Sequence, residues 1–297
     1  MPNQFDVFNS KKKSAEKQTV IGMVLIGIAV ILFLGMQASG NTGFLIFAII
    51  AGIPGLIFAA KGATDFKKLS RSFKQEVVIP MFQEAIPGVQ YRPDYGLSEM
   101  EVYNTEMLKR ADRFHSEDFI SGQLESVDFI SSDVRLEERH VEHTKNGTRT
   151  YYVTYFLGRV FKFSFNKEFD GYLQVLEGGS PMSRRDFKKV KLESIDFNKK
   201  FKTFATSELS AFYVLTPDIM ESIMNLEKRN PGRIGLSFTG ENLYITINNN
   251  KDTFELKMFR QIDQSVVDEF RQDLMVIKDV IVAMKLNNNL FKKAPQN

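Results

Sequence analysis

The chain has 297 residues, 43% apolar and 25% charged, a globular composition that excludes wholesale disorder. It has no cysteine, which excludes a disulfide framework, a thiol nucleophile and an acylated lipoprotein cysteine, and fits a reducing compartment. The net charge of +3 is concentrated at +2 over residues 1–17 and +4 over residues 61–74, so the remainder is slightly acidic. A duplex-binding protein would carry a basic face on its folded domain, so nucleic acid is not an expected partner.

From Gln18 to Ala60 there is no charged residue. Two apolar runs of 18 residues, Val20–Gln37 and Gly43–Ala60, are separated by the turn formers Ala38-Ser39-Gly40-Asn41-Thr42. Each run makes a helix of roughly 27 Å, which suits a hydrocarbon core of about 30 Å with snorkelling of the flanking lysines. Neither run has the polar stripe of a soluble helix, so a transmembrane hairpin is expected. A cleaved signal peptide is the weaker reading: the second run would still anchor the product, and Met36-Gln37-Ala38 is a poor cleavage site. Lys and Arg flank both runs and are absent from the connecting loop, which predicts both flanks in the cytoplasm. Gly52, Pro54 and Gly55 predict a mild kink in the second helix, and with no ionisable group in either span transport is not expected.

After the hairpin, Phe66, Leu69, Phe73, Val77 and Met81 recur at helical spacing. The basic residues Lys61, Lys67, Lys68, Arg71 and Lys74 fall between them and are the candidate contacts with anionic lipid headgroups. The competing reading is a helix docked on the soluble domain. Pro80 is expected to kink or end this helix, with Pro87-Gly88 closing the region. Ser98 and Glu101 form the signature of a capping box. Strands are expected from Phe119 to Val175, with a hairpin at Asn146-Gly147. Thr216-Pro217 should open a helix to about Lys228. A second hairpin is read at Arg233–Thr239 and Leu243–Asn248 around Gly240-Glu241-Asn242, then a strand at Thr253–Phe259. A final helix, Gln264–Leu286, carries the buried stripe Val267, Phe270, Leu274, Ile277, Ile281 and Met284. Segregated strands and helices predict an α+β fold: a two-helix transmembrane hairpin, then a mostly antiparallel-sheet domain with flanking helices. Residues 1–18 read as a basic cytoplasmic tail, 19–60 as the hairpin, 61–90 as a juxtamembrane amphipathic helix and 91–297 as the cytoplasmic domain.

No catalytic or cofactor site is read from the sequence. Glu138, His140, Glu142 and His143 resemble a ligand set, but in a strand positions three apart face opposite sides, so no metal is expected there. Glu177-Gly178-Gly179-Ser180-Pro181 reads as a glycine turn, because no phosphate-loop pattern accompanies it. Glu117-Asp118 is expected to form structural ion pairs with Arg110 and Arg113. A cluster beginning Arg184, Arg185, Lys188 and Lys189 reads first as a solvated surface, and second as a contact with lipid headgroups or an acidic partner.

Several ordered stretches resemble an uncharacterised bacterial family known as a domain of unknown function, number 3137. They include Tyr91-x-Pro93-x-x-Gly96-Leu97-Ser98, Asp112-Arg113-Phe114…Glu117-Asp118-Phe119-Ile120-Ser121-Gly122, Phe165-Asn166-Lys167-x-Phe169, Val190-Lys191-Leu192-Glu193-Ser194 and Leu215-Thr216-Pro217-Asp218-x-Met220. The resemblance runs from about residue 65 to the C-terminus. The ending Leu286-Asn287-Asn288-Asn289 departs slightly from the family's Leu-Asn-Leu-Asn. It implies a multi-pass protein of the bacterial inner membrane, sometimes beside LemA-type membrane proteins, and supplies no catalytic residues. The expected function is a membrane-anchored cytoplasmic interaction or scaffolding module. Its partners would be the bilayer, anionic headgroups, and a protein partner or a second copy. A ligand sensor with a deep apolar pocket, or an enzyme with a scattered site, is the alternative.

Overall fold

The computed structural model describes residues 4–145, 147–183, 185–284 and 286, the side chains of 4 and 165–168 excepted. Both apolar runs lie in long helices, α1 (Gln4–Ser39) and α2 (Gly43–Phe73). Gly40 takes the left-handed conformation (φ +67°) at the reversal, and Asn41 Oδ1 accepts the Gly43 N–H at 2.9 Å. Both helices are long and apolar enough to cross a membrane, and only 6% and 11% of their most apolar windows are buried. Ile31, Ile46, Phe47, Ile50 and Leu56 are exposed, whereas a soluble core helix would bury such a set. The helices approach through small residues. A β-carbon added at Gly22 would lie 2.4 Å from the Ala59 nitrogen, and one at Gly62 would lie 2.7 Å from the Ala15 carbonyl.

Residues 4–18, read as a basic tail, form the first turns of α1. Pro80 does not end the helix: a π-helical turn (Lys74–Val78) precedes α3 (Ile79–Ala85), and the backbone continues through the proline. The wider turn suits a residue that lacks an N–H and crowds the carbonyl four positions back. It also shifts the apolar stripe, so Val78 is fully buried while Val77 is only half-buried.

The chain divides into two compact units, Met1–Pro80 with Glu255–Phe270 and Met81–Phe254 with Arg271–Asn297. In the first, Asn9 brackets Ile262: its Nδ2 donates to the Ile262 carbonyl at 2.7 Å and its Oδ1 accepts the Ile262 N–H at 2.9 Å. Glu16 Oε1 accepts the Phe259 N–H at 2.7 Å, and Phe73 packs edge-on against Phe8 and Phe270. The segment expected as a strand at Thr253–Phe259 is therefore irregular. Its backbone is held by side chains rather than by a ladder.

The second unit is built on a seven-stranded antiparallel sheet: β1 (Gln90–Arg92), β2 (Arg113–Leu124), β3 (Val127–Thr144), β4 (Gly147–Leu176), β5 (Lys188–Val190), β6 (Lys202–Ala205) and β7 (Arg233–Asn248). The order is β1-β2-β3-β4-β6-β5, with β7 also paired to β4. β4 is 30 residues long and changes neighbours along its length. Residues 147–164 pair with β3, 158–176 with β7 and 173–176 with β6. β3 and β4 form the expected hairpin, with Thr144 opposite Gly147; Asn146 lies outside the described residues.

The second expected hairpin is corrected: Arg233–Asn248 is one strand, because both of its halves pair with the same long β4. Gly240 (φ +54°) makes a local irregularity opposite the register shifts of β4 between Ser164 and Tyr172, not a reversal. Short helices α4 (Glu99–Tyr103), α5 (Ile195–Lys200), α6 (Glu208–Val214) and α7 (Pro217–Arg229) flank the sheet, and α8 (Gln264–Ala283) follows. The Ser98–Glu101 capping box is formed, Thr216 caps α7, and all six stripe residues of the final helix are buried. The fold is α+β.

Candidate functional site

Side chains repeat every second residue along a strand, so Ser131, Asp133 and Arg135 share one face of β3. Asp133 stands opposite Arg159 of β4 in the ladder, with Arg159 Nε 3.3 Å from Asp133 Oδ1. Both side chains are almost completely buried. Arg159 Nη2 donates to Ser131 Oγ at 3.0 Å and Nη1 to the Asp273 carbonyl at 2.8 Å. Its guanidinium lies 4.7 Å from the Phe161 ring centre and 4.9 Å from that of Phe254.

Two further carboxylates reach this centre. A bulge in β2 between Glu117 and Ile120 takes Asp118 out of the ladder and turns it inward, fully buried, where it accepts from the Tyr91 hydroxyl. Asp252, on the segment after β7, meets Arg135 Nη2 at 3.3 Å and keeps about a third of its side chain exposed. Carboxylate oxygens of Asp118, Asp133 and Asp252 all lie within 4.8 Å of one another. The Thr253 N–H donates to Asp133 Oδ2. Asp118 (φ +57°) and Phe254 (φ +61°) are both left-handed, an outlier for a bulky aromatic residue. Burial pushes the Asp133 carboxyl up to about 8; Arg159 pulls against this and Asp118 adds to it.

The residues singled out in the sequence fall elsewhere. Lys61, Lys67, Lys68 and Arg71 are exposed on α2. Lys74 differs: it is buried and paired with Glu255, whose carboxylate also meets Ser70 Oγ at 3.5 Å. Arg185 holds Glu106 in a two-pronged pair at 2.7–2.9 Å and lies 3.4 Å over Tyr172, which keeps it charged. Lys188 and Lys189 are exposed on β5, and Arg184 lies outside the described residues.

His140 stacks on Tyr151 at 5.5 Å, 3.9 Å from Glu138, while His143 meets Thr148 Oγ1 at 3.0 Å, all on the exposed end of the β3–β4 hairpin. The expected pairing of Glu117-Asp118 with Arg110 and Arg113 is replaced. Arg113 faces Glu137 at 3.8 Å, Arg110 lies over Tyr103, Glu117 faces His115 at 3.2 Å, and Asp118 joins the buried centre. The bulge takes Asp118 out of the ladder, and its carboxylate is buried among the other centre residues instead of pairing with Arg110 or Arg113.

The buried centre is absent from the sequence reading. One signal for it existed: a strand that alternates Ser131, Asp133 and Arg135 against Ser132, Val134 and Leu136 puts a charged row inside a wide sheet. An open cleft of about 340 Å³ also exists near Met107, Tyr155, Gly178, Arg233 and Asn248, with the Lys109–Glu138 pair at its rim.

Two apolar helices and an antiparallel α+β unit with a buried carboxylate–arginine centre define the class of this protein. Residues 154–286 match the family model described as a protein of unknown function (DUF3137), the family that the sequence motifs resemble. No curated protein matches. Among solved structures, the crystal structure of the mycobacterial trehalose monomycolate transport factor A, TtfA, is similar with a TM-score of 0.39 at 7% identity. That likeness covers 76% of this chain and 98% of the other, at a level that assigns no function here.

Proposed function

We propose that this chain is a membrane-anchored interaction module of the bacterial inner membrane, with both ends of its helical hairpin in the cytoplasm. The α+β domain binds a protein partner, or a second copy of the chain, at the inner leaflet. A LemA-type membrane protein is the first partner to test. The observation that carries the reading is the helix pair itself, free of charge from Gln18 to Ala60 and exposing its apolar side chains. The exposed cations on either side of it, with none in the loop, support the orientation. Lys61, Lys67, Lys68 and Arg71 meet anionic headgroups in this reading, each adding about 1 kcal/mol close to the surface. Lys188 and Lys189 offer a second contact with lipid or an acidic partner.

The chain has no cysteine of its own, so Ser39→Cys and Ser180→Cys can be labelled one at a time on intact cells. An impermeant thiol reagent should reach Ser39→Cys alone, and reaction at Ser180→Cys instead would overturn the topology. Purification in mild detergent with mass spectrometry should return a stoichiometric partner or a defined oligomer; a monomer carrying nothing would count against the interaction role.

A further inference from the structure

We propose that the turn at residues 257–260 inserts Phe259 into the headgroup layer of the bilayer, a second membrane contact beside the helix pair. The proposal rests on the reading of that pair as membrane-spanning. It comes from three contacts that hold the segment after β7 within the first compact unit. Glu255 meets Ser70 and Lys74, which stand 10 and 14 residues beyond Ala60. The Phe259 N–H donates to Glu16 Oε1 at 2.7 Å, only 4 residues before Val20, where the first apolar run begins. Ile262 is bracketed by Asn9, 11 residues before Val20. At 1.5 Å per residue along the helices, these anchors stand roughly 15–21 Å, 6 Å and 16 Å from the apolar runs. The segment therefore dips toward the bilayer and turns back, with Phe259 at the bottom of the dip. The layer between hydrocarbon and water is roughly 5–8 Å deep on each side, which is the level of Glu16.

The turn holds its ring outward. Phe259 is 64% exposed, whereas Leu256 and Ile262 on either side are buried and fix the turn in place. The Arg260 N–H closes the turn on the Lys257 carbonyl at 3.4 Å, and Phe259 occupies the third position with φ +62°. A positive φ at that position favours glycine. A bulky aromatic residue held left-handed and facing outward is strained, with little packing to offset the strain. A membrane interface supplies the missing contact: aromatic rings settle at the headgroup level, and cations beside them meet anionic lipid. Lys257 is exposed next to the ring, and Lys17 and Lys61 are exposed within three residues of the apolar runs. Arg260 is held by Glu269 at 2.7 Å, which leaves Lys257 as the headgroup contact of the turn.

The chain has no tryptophan, so a single one reports its own surroundings. The test places Phe259→Trp and, separately, Ile31→Trp in the full chain, in nanodiscs of phosphatidylcholine and phosphatidylglycerol. The lipids carry a spin-label quencher either near the headgroup or deep in the acyl chain. Ile31, 70% exposed on α1 within the apolar run, reports on the helix pair itself. The shallow label should quench Phe259→Trp more than the deep label does, and the order should reverse for Ile31→Trp. Emission of Phe259→Trp should also lie to the blue of tryptophan in buffer. Lipid quenching of Ile31→Trp, with Phe259→Trp reached only by iodide from the buffer, would overturn the insertion and leave the spanning helices standing. Phe259→Trp quenched by neither lipid label nor iodide would place the ring inside the protein and overturn the proposal equally. No lipid quenching of Ile31→Trp would instead overturn the membrane-spanning pair on which the proposal rests.

Discussion

Arg159 and Asp133 face each other across the β3–β4 ladder with Nε and Oδ1 3.3 Å apart, both buried, and the guanidinium lies over the rings of Phe161 and Phe254. This cross-strand pair, rather than an apolar contact, occupies the middle of a wide sheet. Removing Arg159 takes away the cation that favours the charged form of Asp133, and the donor to Ser131 Oγ and to the Asp273 carbonyl, in a low-dielectric interior. Arg159→Ala should cost about 3–5 kcal/mol in unfolding free energy. Arg159→Met combined with Asp133→Asn should recover much of that loss, because it removes both charges at similar volume. Thermal or denaturant unfolding of the three variants in detergent checks this, and a double variant no better than Arg159→Ala would contradict it.

The cations of α2 should separate into two kinds. Lys74 is buried with Glu255, whose side chain is one-third exposed, so Lys74→Gln should cost about 2 kcal/mol, below the cost for a fully buried pair. Lys67→Gln with Lys68→Gln should leave the melting temperature unchanged, since both side chains are exposed. That double variant should instead lower the yield of cross-links to a photoactivatable anionic lipid in nanodiscs. The difference should shrink at high salt as the Debye length falls.

The helix pair should tolerate no bulk at Gly22. A β-carbon there lies 2.4 Å from the Ala59 nitrogen and 2.7 Å from the Gly55 carbonyl, backbone atoms that cannot rotate away. Nearby, a β-carbon built at Gly52 lies 3.4 Å from that of Ala29, close to the spacing of a disulfide. Ala29→Cys with Gly52→Cys should therefore cross-link on oxidation, and adding Gly22→Val should cut the yield. An equal yield with and without Gly22→Val would show that close approach is not needed.

Gly158 should be equally strict for the sheet. It lies in β4 between Val134 of β3 and Asn248 of β7, and a β-carbon would fall 2.0 Å from the Ile247 carbonyl oxygen. Gly158→Ala should push β7 from β4 and speed amide hydrogen exchange along Leu243–Asn248 more than along β2. Uniform or unchanged exchange would contradict this.

What the sequence by itself determined were features set within a few residues or by one helical face. The apolar runs of Val20–Gln37 and Gly43–Ala60 exclude charge by composition alone. The Ser98–Glu101 box and the Thr216-Pro217 start are decided by hydrogen bonds within one turn, and the stripe from Val267 to Met284 by a 3.6-residue period. Only the tertiary structure decided the rest. Gly240-Glu241-Asn242 has the composition of a turn, yet β4 is long enough to pair with residues on both sides of it, so β7 runs on as one strand. Pro80 has the composition of a helix end, yet the π turn before it makes room for the ring. Asp118, Asp133 and Asp252 are separated by well over 100 residues at their extremes. They meet because a bulge, a ladder register and an irregular segment coincide, and such long-range geometry leaves no local period to read.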